Sequence, residues 1–568
     1  MNLPIHSALK LATRKDYTAF FKNMRDAADI QKSILDLYLR NNTETVFGKK
    51  YGFRYIKTAA EFRKSVPVTE YEDYLPFLRD SSGAEGRALT AEKILLFEPT
   101  SGTSSGTRYI PYTLSLKREF RRAINVWLHD LYSHYPGILK GRSYWAISPV
   151  TNWKSPFKTD VPVGFEDDSE YLGSWGKIIR SSFAVPQDVR LERSLANFRY
   201  LTSLYLLRAE DLALISIWNP TFLLLILAYM VANMPTLIRD LRDGISRVPE
   251  KEVEQVSRRW TRTCFSNKYG RAKELESWYN RFQKEDKSDF SGLWPRLTLI
   301  SCWQDAESRP FADKLASNFP DIALRGKGLL ATEGIISFPL VECSGSVPAY
   351  LSHYLEFMPD AKEEVKGICE LEKGKEYTVL LTTGGGLYRY NLHDRVRVRG
   401  YFRNLPILVF TGRNTVSDLV GEKLEELHLR KVLAQALDQR ELSPVFRFCA
   451  PERTPVGGYY VLYIQLKAQV DNFEKDKRFL KELSGLRDDI EKGLLENYHY
   501  RYASQLGQLS ALRLYIISSR GWQSYINQCL KKGQREGDIK LVLLSRKTGW
   551  LDAFLGALLP HNTREALV

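Results

Sequence analysis

Glu98-Pro99-Thr100-Ser101-Gly102-Thr103-Ser104-Ser105-Gly106-Thr107-Arg108 is the stretch on which the reading of this chain turns. It follows Ile94-Leu95-Leu96-Phe97, an apolar run that predicts a short strand. Every residue between Pro99 and Arg108 is Gly, Ser or Thr. Glycines let the backbone bend until successive N–H groups face one concavity. The hydroxyls add donors, and Arg108 adds a permanent positive charge. Such a surface suits a triphosphate, although an ordinary polar surface loop has the same composition. Two sharper motifs compete for the stretch. Gly102-Thr103-Ser104-Ser105-Gly106 fits G-x-S-x-G, the nucleophile elbow of serine hydrolases, which must lead into a helix. Here Tyr109-Ile110-Pro111-Tyr112 comes next, and a residue before proline is pushed towards extended backbone, so the elbow is disfavoured. A phosphate loop of the G-x-x-x-x-G-K-[ST] type needs another glycine spacing and a lysine, and is rejected.

The chain has 568 residues, too many for one core, so two or more domains are expected. Its six cysteines are scattered without a C-x-x-C pair, which argues against a disulfide framework or zinc site and fits a reducing cytoplasm. The net charge of +15 comes with no basic aromatic module, so nucleic acid is not the expected partner. The N-terminal residues lack the apolar core of a signal peptide. The most membrane-like run, from Thr221 to Ala232, is too short to cross about 30 Å of hydrocarbon and is read as a buried core helix.

Outward from the hydroxyl-rich stretch, helical periodicity covers about Lys15 to Asn41. A turn is expected at Phe47–Phe53, and Thr69-x-x-Glu72 reads as a capping box. Leu116–Tyr132 predicts an amphipathic helix, and Tyr144–Ser148 a strand. Residues 150–190 predict long loops over a cleft. Leu212–Trp218 and Leu297–Trp303 read as buried strands, with helices after each. Alternating strands and helices imply an α/β domain with a mainly parallel sheet, whose ligands sit at the strand C-terminal ends. The loops at Thr100, Trp303 and Ala331 are therefore expected to share one cleft.

Two further loops carry chemistry. Gly326-Lys327-Gly328-Leu329-Leu330-Ala331-Thr332-Glu333-Gly334 pairs a hydroxyl with a carboxylate that can hold Mg²⁺ against phosphate oxygens. In Gly384-Gly385-Gly386-Leu387-Tyr388-Arg389-Tyr390-Asn391-Leu392-His393-Asp394, the aspartate can accept both hydroxyls of a ribose, or be a simple turn residue. Arg395, Arg397 and Arg399 alternate like the solvated face of a strand. Past Arg413 the character changes to a small α+β domain: a charged helix over 422–440, a strand from Tyr459 to Leu466, helices near 472–495, and a strand from Leu512 to Ser518.

The three loops occur in the order of the adenylate-forming superfamily, which includes firefly luciferase and acyl-CoA ligases. Thr100–Ser104, Gly328–Gly334, Leu387–Tyr390 and Ser417-Asp418-Leu419-Val420-Gly421-Glu422-Lys423 together resemble the auxin-responsive acyl-acid amido synthetase family, specifically its bacterial branch. Pro162–Gly173 and Phe198-Arg199-Tyr200 share that resemblance, which runs from about residue 30 to 430. The resemblance implies a large N-terminal domain with mixed and parallel sheets (1–412) and a smaller, mobile α+β lid (413–568) on a hinge at about 412–418. It implies that ATP and Mg²⁺ convert a carboxylic acid to an acyl-adenylate, and that an amine, usually of an amino acid, then displaces AMP to give an amide. By motif position Thr100, Ser101, Gly102, Thr103, Ser104, Arg108 and Ala331 would bind ATP or AMP, with Ser101, Thr103 and Ser104 on its phosphates. Thr332 would touch the α-phosphate, Glu333 would hold Mg²⁺ and Asp394 the ribose hydroxyls. Arg413 and Lys423 would act on the nucleotide from the hinge and lid. The acyl pocket is expected near Trp127, Trp218 and Trp303.

The chain departs from the family pattern in two places. The segment between Gly106 and Pro111 is one residue short, and His393 stands where a glycine usually precedes the aspartate, which demands positive φ of a side-chain-bearing residue. A ligase to coenzyme A or a carrier thiol, and a non-catalytic nucleotide-binding relative, are the alternatives. A monomer without membrane insertion is expected.

Overall fold

The apolar run before the hydroxyl-rich stretch forms a strand displaced two residues along: β1, Leu96–Pro99, pairs antiparallel with β2, Tyr109–Tyr112. The computed structural model describes residues 3–80, 87–100, 108–145, 157, 161–164, 180–192, 194–250, 266–284, 288–360, 363–455, 457–467, 476–534 and 539–559. The segment directly after Arg108 is therefore a strand, the wrong context for a nucleophile elbow.

The expected parallel sheet is present. β3 (Arg142–Trp145), β4 (Leu212–Ser216), β5 (Leu299–Ser301) and β6 (Ala323–Arg325) lie in that order, each pair parallel. All five residues of β4 are buried, as in a sheet covered by helices on both faces. Helix Pro220–Asp243 starts on an Asn219 cap, whose Oδ1 accepts from the Thr221 N–H at 3.1 Å. By length and composition it could cross a membrane. Phe222, Leu223, Ile226, Leu227, Met230 and Met234 are at most 2% exposed in a core shared with Phe198, Leu275, Trp294 and Leu315.

Antiparallel structure dominates the remainder. β7 (Leu330–Ala331) and β8 (Gly334–Ile335) make a hairpin with Thr332-Glu333 at its tip. β9 (Ser337–Pro339), β10 (Ser346–Pro348), β11 (Tyr354–Pro359), β12 (Glu376–Thr382), β13 (Tyr390–Phe402) and β14 (Leu405–Arg413) form a six-stranded sheet ordered β11-β12-β13-β14-β10-β9. By contact the chain divides near residue 411 into two units. The second unit contains the hairpin β15 (Val416–Ser417) and β16 (Leu424–Glu425). Its four-stranded sheet runs in order through β17 (Pro444–Thr454), β18 (Gly457–Leu466), β19 (Arg513–Ile517) and β20 (Gly556–Leu558). Helices Glu426–Gln439 and Lys477–Leu494 pack on it around Leu433, Leu462, Leu483 and Leu514.

Several expectations need correction. The helical stretch 15–41 is two helices, Leu3–Lys22 and Ala27–Asn41, broken at Asn23–Asp26. The turn at 47–53 is largely the short helix Val46–Lys50. Thr69 is not a cap: its hydroxyl meets Tyr74 Oη at 2.7 Å and donates to the Tyr388 carbonyl at 2.8 Å, while the capping box belongs to Thr58 and Glu61. The helix over 422–440 begins only at Glu426, because the preceding residues close a hairpin. Arg397 and Arg399 are solvated, but Arg395 on the same face is 3% exposed. Asp360, one residue beyond β11, reaches over it at 2.6 Å, and Glu376 pairs with it at 3.1 Å.

A second buried arginine braces the sheet. Glu356, 1% exposed, accepts from Arg63 Nε at 3.1 Å and Arg389 Nε at 3.0 Å. Arg389 also donates to the Arg63 and Val66 carbonyls, and these bonds hold it at φ 50°. Removing one member of a buried ion pair leaves an uncompensated charge, so Glu356→Ala should lower the unfolding free energy by about 3 kcal/mol. Denaturant unfolding followed by circular dichroism checks this; a loss under about 1 kcal/mol would mean the arginines are satisfied without Glu356.

Candidate functional site

The β1–β2 hairpin delivers one end of the hydroxyl-rich stretch into the first unit. Thr100, just past β1, donates its N–H to the Arg108 carbonyl at 2.8 Å and extends the ladder by one pair. Ser101, Gly102, Thr103 and Ser104 lie outside the described residues. Arg108 is half-buried, with its guanidinium 5.7 Å from the Tyr71 ring and Nη1 donating to Tyr390 Oη at 3.1 Å. Tyr390 Oη in turn donates to Glu333 Oε1 at 3.4 Å. Burial opposes the charge on Arg108, and Tyr390 and Glu333 more than offset it, so its pKa is raised.

The Thr332-Glu333 tip is held from several directions. Tyr112 Oη on β2 donates to the Thr332 carbonyl at 2.6 Å. Ala331 pairs with Gly334 across the hairpin, where a Cβ would stand 2.8 Å from Leu381 and 3.0 Å from His353. His353, fully buried, accepts the Ile335 N–H on Nε2 at 3.1 Å, so its proton is on Nδ1 and is donated to Glu119 at 3.0 Å. Glu119 also accepts the Gly384 N–H at 3.1 Å. One carboxylate on helix Leu114–His134 thus sets both the Thr-Glu tip and the start of the glycine-rich loop.

Asp394 is half-buried on β13, within a bulge: Thr378 faces Arg395 while Leu380 faces Asn391. The bulge puts His393 at φ 60°, the conformation its substitution for glycine implies. His393 Nε2 lies 2.7 Å from Glu70, which also accepts from Asn391 Nδ2 at 2.9 Å. Burial pushes the Glu70 carboxyl up, but His393, Asn391 and Arg108 together bring it below its ordinary value. Glu70 therefore links the Asp394 bulge electrostatically to Arg108. The loops bearing Arg108, Glu333 and Asp394 are neighbours in the fold.

The three GH3 family models match this chain in sequence order: the N-terminal domain over residues 17–324, the central domain over 347–413 and the C-terminal domain over 427–549. The chain belongs to the GH3 family. The indole-3-acetic acid-amido synthetase GH3.3 of Arabidopsis thaliana is 24% identical to it, over 79% of this chain and 78% of its own. The 4-substituted benzoates-glutamate ligase GH3.12 of the same plant is 21% identical over 92% and 94%. The jasmonoyl-L-amino acid synthetase JAR4 of Nicotiana attenuata is 21% identical over 82% of each chain. The solved AtGH3.15 acyl acid amido synthetase, in complex with 2,4-DB, superposes with a TM-score of 0.75 at 19% identity, over 95% of both chains. These homologues are amino-acid-conjugating ligases, and the GH3 fold is shared over 95% of the chain.

In the second unit of this GH3 chain, Arg413 ends β14, half-buried. Lys423 is exposed at φ 44°. The loop that presents it is wound around Glu422, which is fully buried and accepts from the N–H groups of Leu419 at 2.7 Å and Val420 at 2.8 Å, and from Tyr460 Oη. Asp418 closes the turn on the Gly421 N–H at 2.7 Å. Motif matching picks out the loop but not this division, in which the carboxylate is structural and the ammonium presented. It also misses Glu70, Glu119 and His353, whose partners lie far off in sequence.

His393 gives a test of the bulge. Both His393→Ala and His393→Gly lose the Glu70 contact, but only alanine keeps the left-handed strain, so the alanine variant should be less stable by about 1 kcal/mol. The Glu70 contribution is present above the unfolded carboxylate value of about 4.3 and is lost as pH falls through the lowered folded value, so the deficit of both variants should shrink on acidification. Thermal unfolding at neutral and acidic pH checks both points.

Proposed function

We propose that this chain is an ATP-dependent acyl-acid amido synthetase, which adenylates a carboxylic acid and passes the acyl group to an amine, an amino acid by preference, releasing AMP. The observation that carries the reading is the Arg108–Tyr390–Glu333 chain of hydrogen bonds at the foot of the hydroxyl-rich stretch. A carboxylate is a poor electrophile, and two anions must meet for adenylation. The site therefore needs cationic and N–H donors aimed at developing charge.

Phosphates are better partners for a guanidinium than a tyrosine hydroxyl is. On nucleotide binding Arg108 turns to the phosphates together with Thr100, Ser101, Gly102, Thr103 and Ser104, and Glu333 is released from its neighbourhood. Ala331 and Thr332 face the α-phosphate, and Asp394 takes the ribose hydroxyls. Mg²⁺ bound with nucleotide phosphates needs only one or two protein carboxylates, so Glu333 suits it. The ion would neutralise phosphate charge there. Arg413 lies in the hinge, about 412–418, of a lid formed by 413–568, and Lys423 brings its ammonium to the adenylate. The first 412 residues bind nucleotide and acid. The protein works as a cytoplasmic monomer on small-molecule acids and amines.

ATP–pyrophosphate exchange with pools of carboxylic acids tests the proposal. Exchange should require an acid and fall by about 100-fold or more in Glu333→Ala. Adding amino acids should then yield an amide, whereas a thioester formed with coenzyme A instead would reassign the second step. Absence of ATP binding would sink the proposal outright.

A further inference from the structure

The Thr332-Glu333 tip has two separate anchors, one on each side. Its hairpin is joined by two residue pairs, Leu330 with Ile335 and Ala331 with Gly334. So short a hairpin does not hold its own shape. On the Thr332 side, the Tyr112 hydroxyl holds the carbonyl at 2.6 Å. On the Glu333 side the support comes two residues later, where the Ile335 N–H is donated to His353 Nε2 at 3.1 Å. Gly334 lies between them, so close to the ring that a Cβ on it would stand 3.0 Å from the same nitrogen.

The ring is itself fixed. Its Nδ1–H goes to Glu119 at 3.0 Å, Phe120 lies edge-on with ring centroids 5.9 Å apart, and the His353 carbonyl accepts from Gln31 Nε2 at 2.6 Å. His353 and Ile335 are 0% and 1% exposed. Water does not reach a bond lost there, so removing the ring acceptor leaves a buried N–H that the hairpin must move to satisfy. The Thr332 carbonyl keeps its own partner, and the displacement falls on Glu333. Groups that orient a metal-holding side chain matter to metal affinity nearly as much as the ligand does.

We propose that His353 is a positioning residue for Glu333: by taking the Ile335 N–H it sets the carboxylate where Mg²⁺ and ATP meet it, so that its loss weakens use of the metal and leaves recognition of the acid intact. This rests on the reading of the chain as an acid-adenylating enzyme in which Glu333 holds Mg²⁺.

The test follows the Mg²⁺ dependence of acid-dependent ATP–pyrophosphate exchange on the full chain. In His353→Leu the half-saturating Mg²⁺ concentration should rise by about tenfold or more, with the KM for the acid within twofold of wild type. His353→Gln, whose amide oxygen extends as far as Nε2, should restore most of the loss. His353→Asn, which reaches only as far as Nδ1, should not. Tyr112→Phe removes the other anchor and should leave the Mg²⁺ requirement within twofold. Paramagnetic resonance of Mn²⁺ titrated with ATP gives the same comparison without turnover: affinity should fall about tenfold in His353→Leu. An unchanged metal requirement in a folded His353→Leu variant overturns the proposal. So does an equal rise in Tyr112→Phe, which would mean that the hairpin has merely slackened. Where His353→Leu does not fold, the glutamine and asparagine variants decide: equal metal requirements in the two overturn the proposal. If no acid supports exchange, the adenylation reading fails instead, and Mn²⁺ binding with ATP decides the positioning alone. Binding weakened in the histidine variants supports it, and no binding by the wild type overturns it.

Discussion

Much of the first unit hangs on one buried carboxylate. Glu119 takes the Gly384 N–H on one side and the His353 ring on the other, and His353 takes the Ile335 N–H. A helix, the glycine-rich loop and the Thr332-Glu333 hairpin are thereby fastened to a single point. The arrangement tolerates no side chain at Gly384, where a Cβ would collide with Glu119 itself, and hardly any at Gly334. A buried carboxylate is stable only when its lone pairs are met. The same bonds that satisfy Glu119 therefore set the spacing of the two loops.

Backbone strain gathers in the same region. Arg389 and His393 both have positive φ, four residues apart, and both are tied by side-chain bonds to carboxylates on other segments, Glu356 and Glu70. Lys423 in the second unit is a third case, its loop held by Glu422. Non-glycine residues persist in such conformations when surrounding contacts over-determine them, and they cluster at functional sites. Each motif carries its own anchor, and the anchor is a carboxylate that the motif pattern does not single out as chemical.

Much of this was legible from local pattern. The hydroxyl-rich stretch, the strand before it and the extended segment after Arg108 follow from composition and from Pro111. The buried helix after Asn219-Pro220 follows from its cap and apolar run. His393 at positive φ follows from its occupying a glycine's place. Local pattern failed where a distant residue decided the outcome. Thr69 resembles a cap, but Tyr388 claims its hydroxyl. Arg395 reads as solvated by alternation, but Asp360 covers it. The apolar strands of 212–218 and 297–303 announced a parallel sheet, while the larger antiparallel sheet is built from segments with weaker signals, such as β13 with its run of arginines.

Fold class, loop order and family follow from the residue order alone, because periodicity, turn chemistry and motif order are properties of neighbouring residues. Which of those residues meet is settled only in the folded chain. Arg108 reaches Glu333 through Tyr390, Glu70 stands between Arg108 and His393, and Lys327 lies under Trp127, Trp145 and Trp218. Each contact joins segments far apart in the chain, and their encounter depends on the packing of whole sheets and helices. Charge, burial and hydrogen bonding act through space, so the roles of these side chains appear only once the chain is folded.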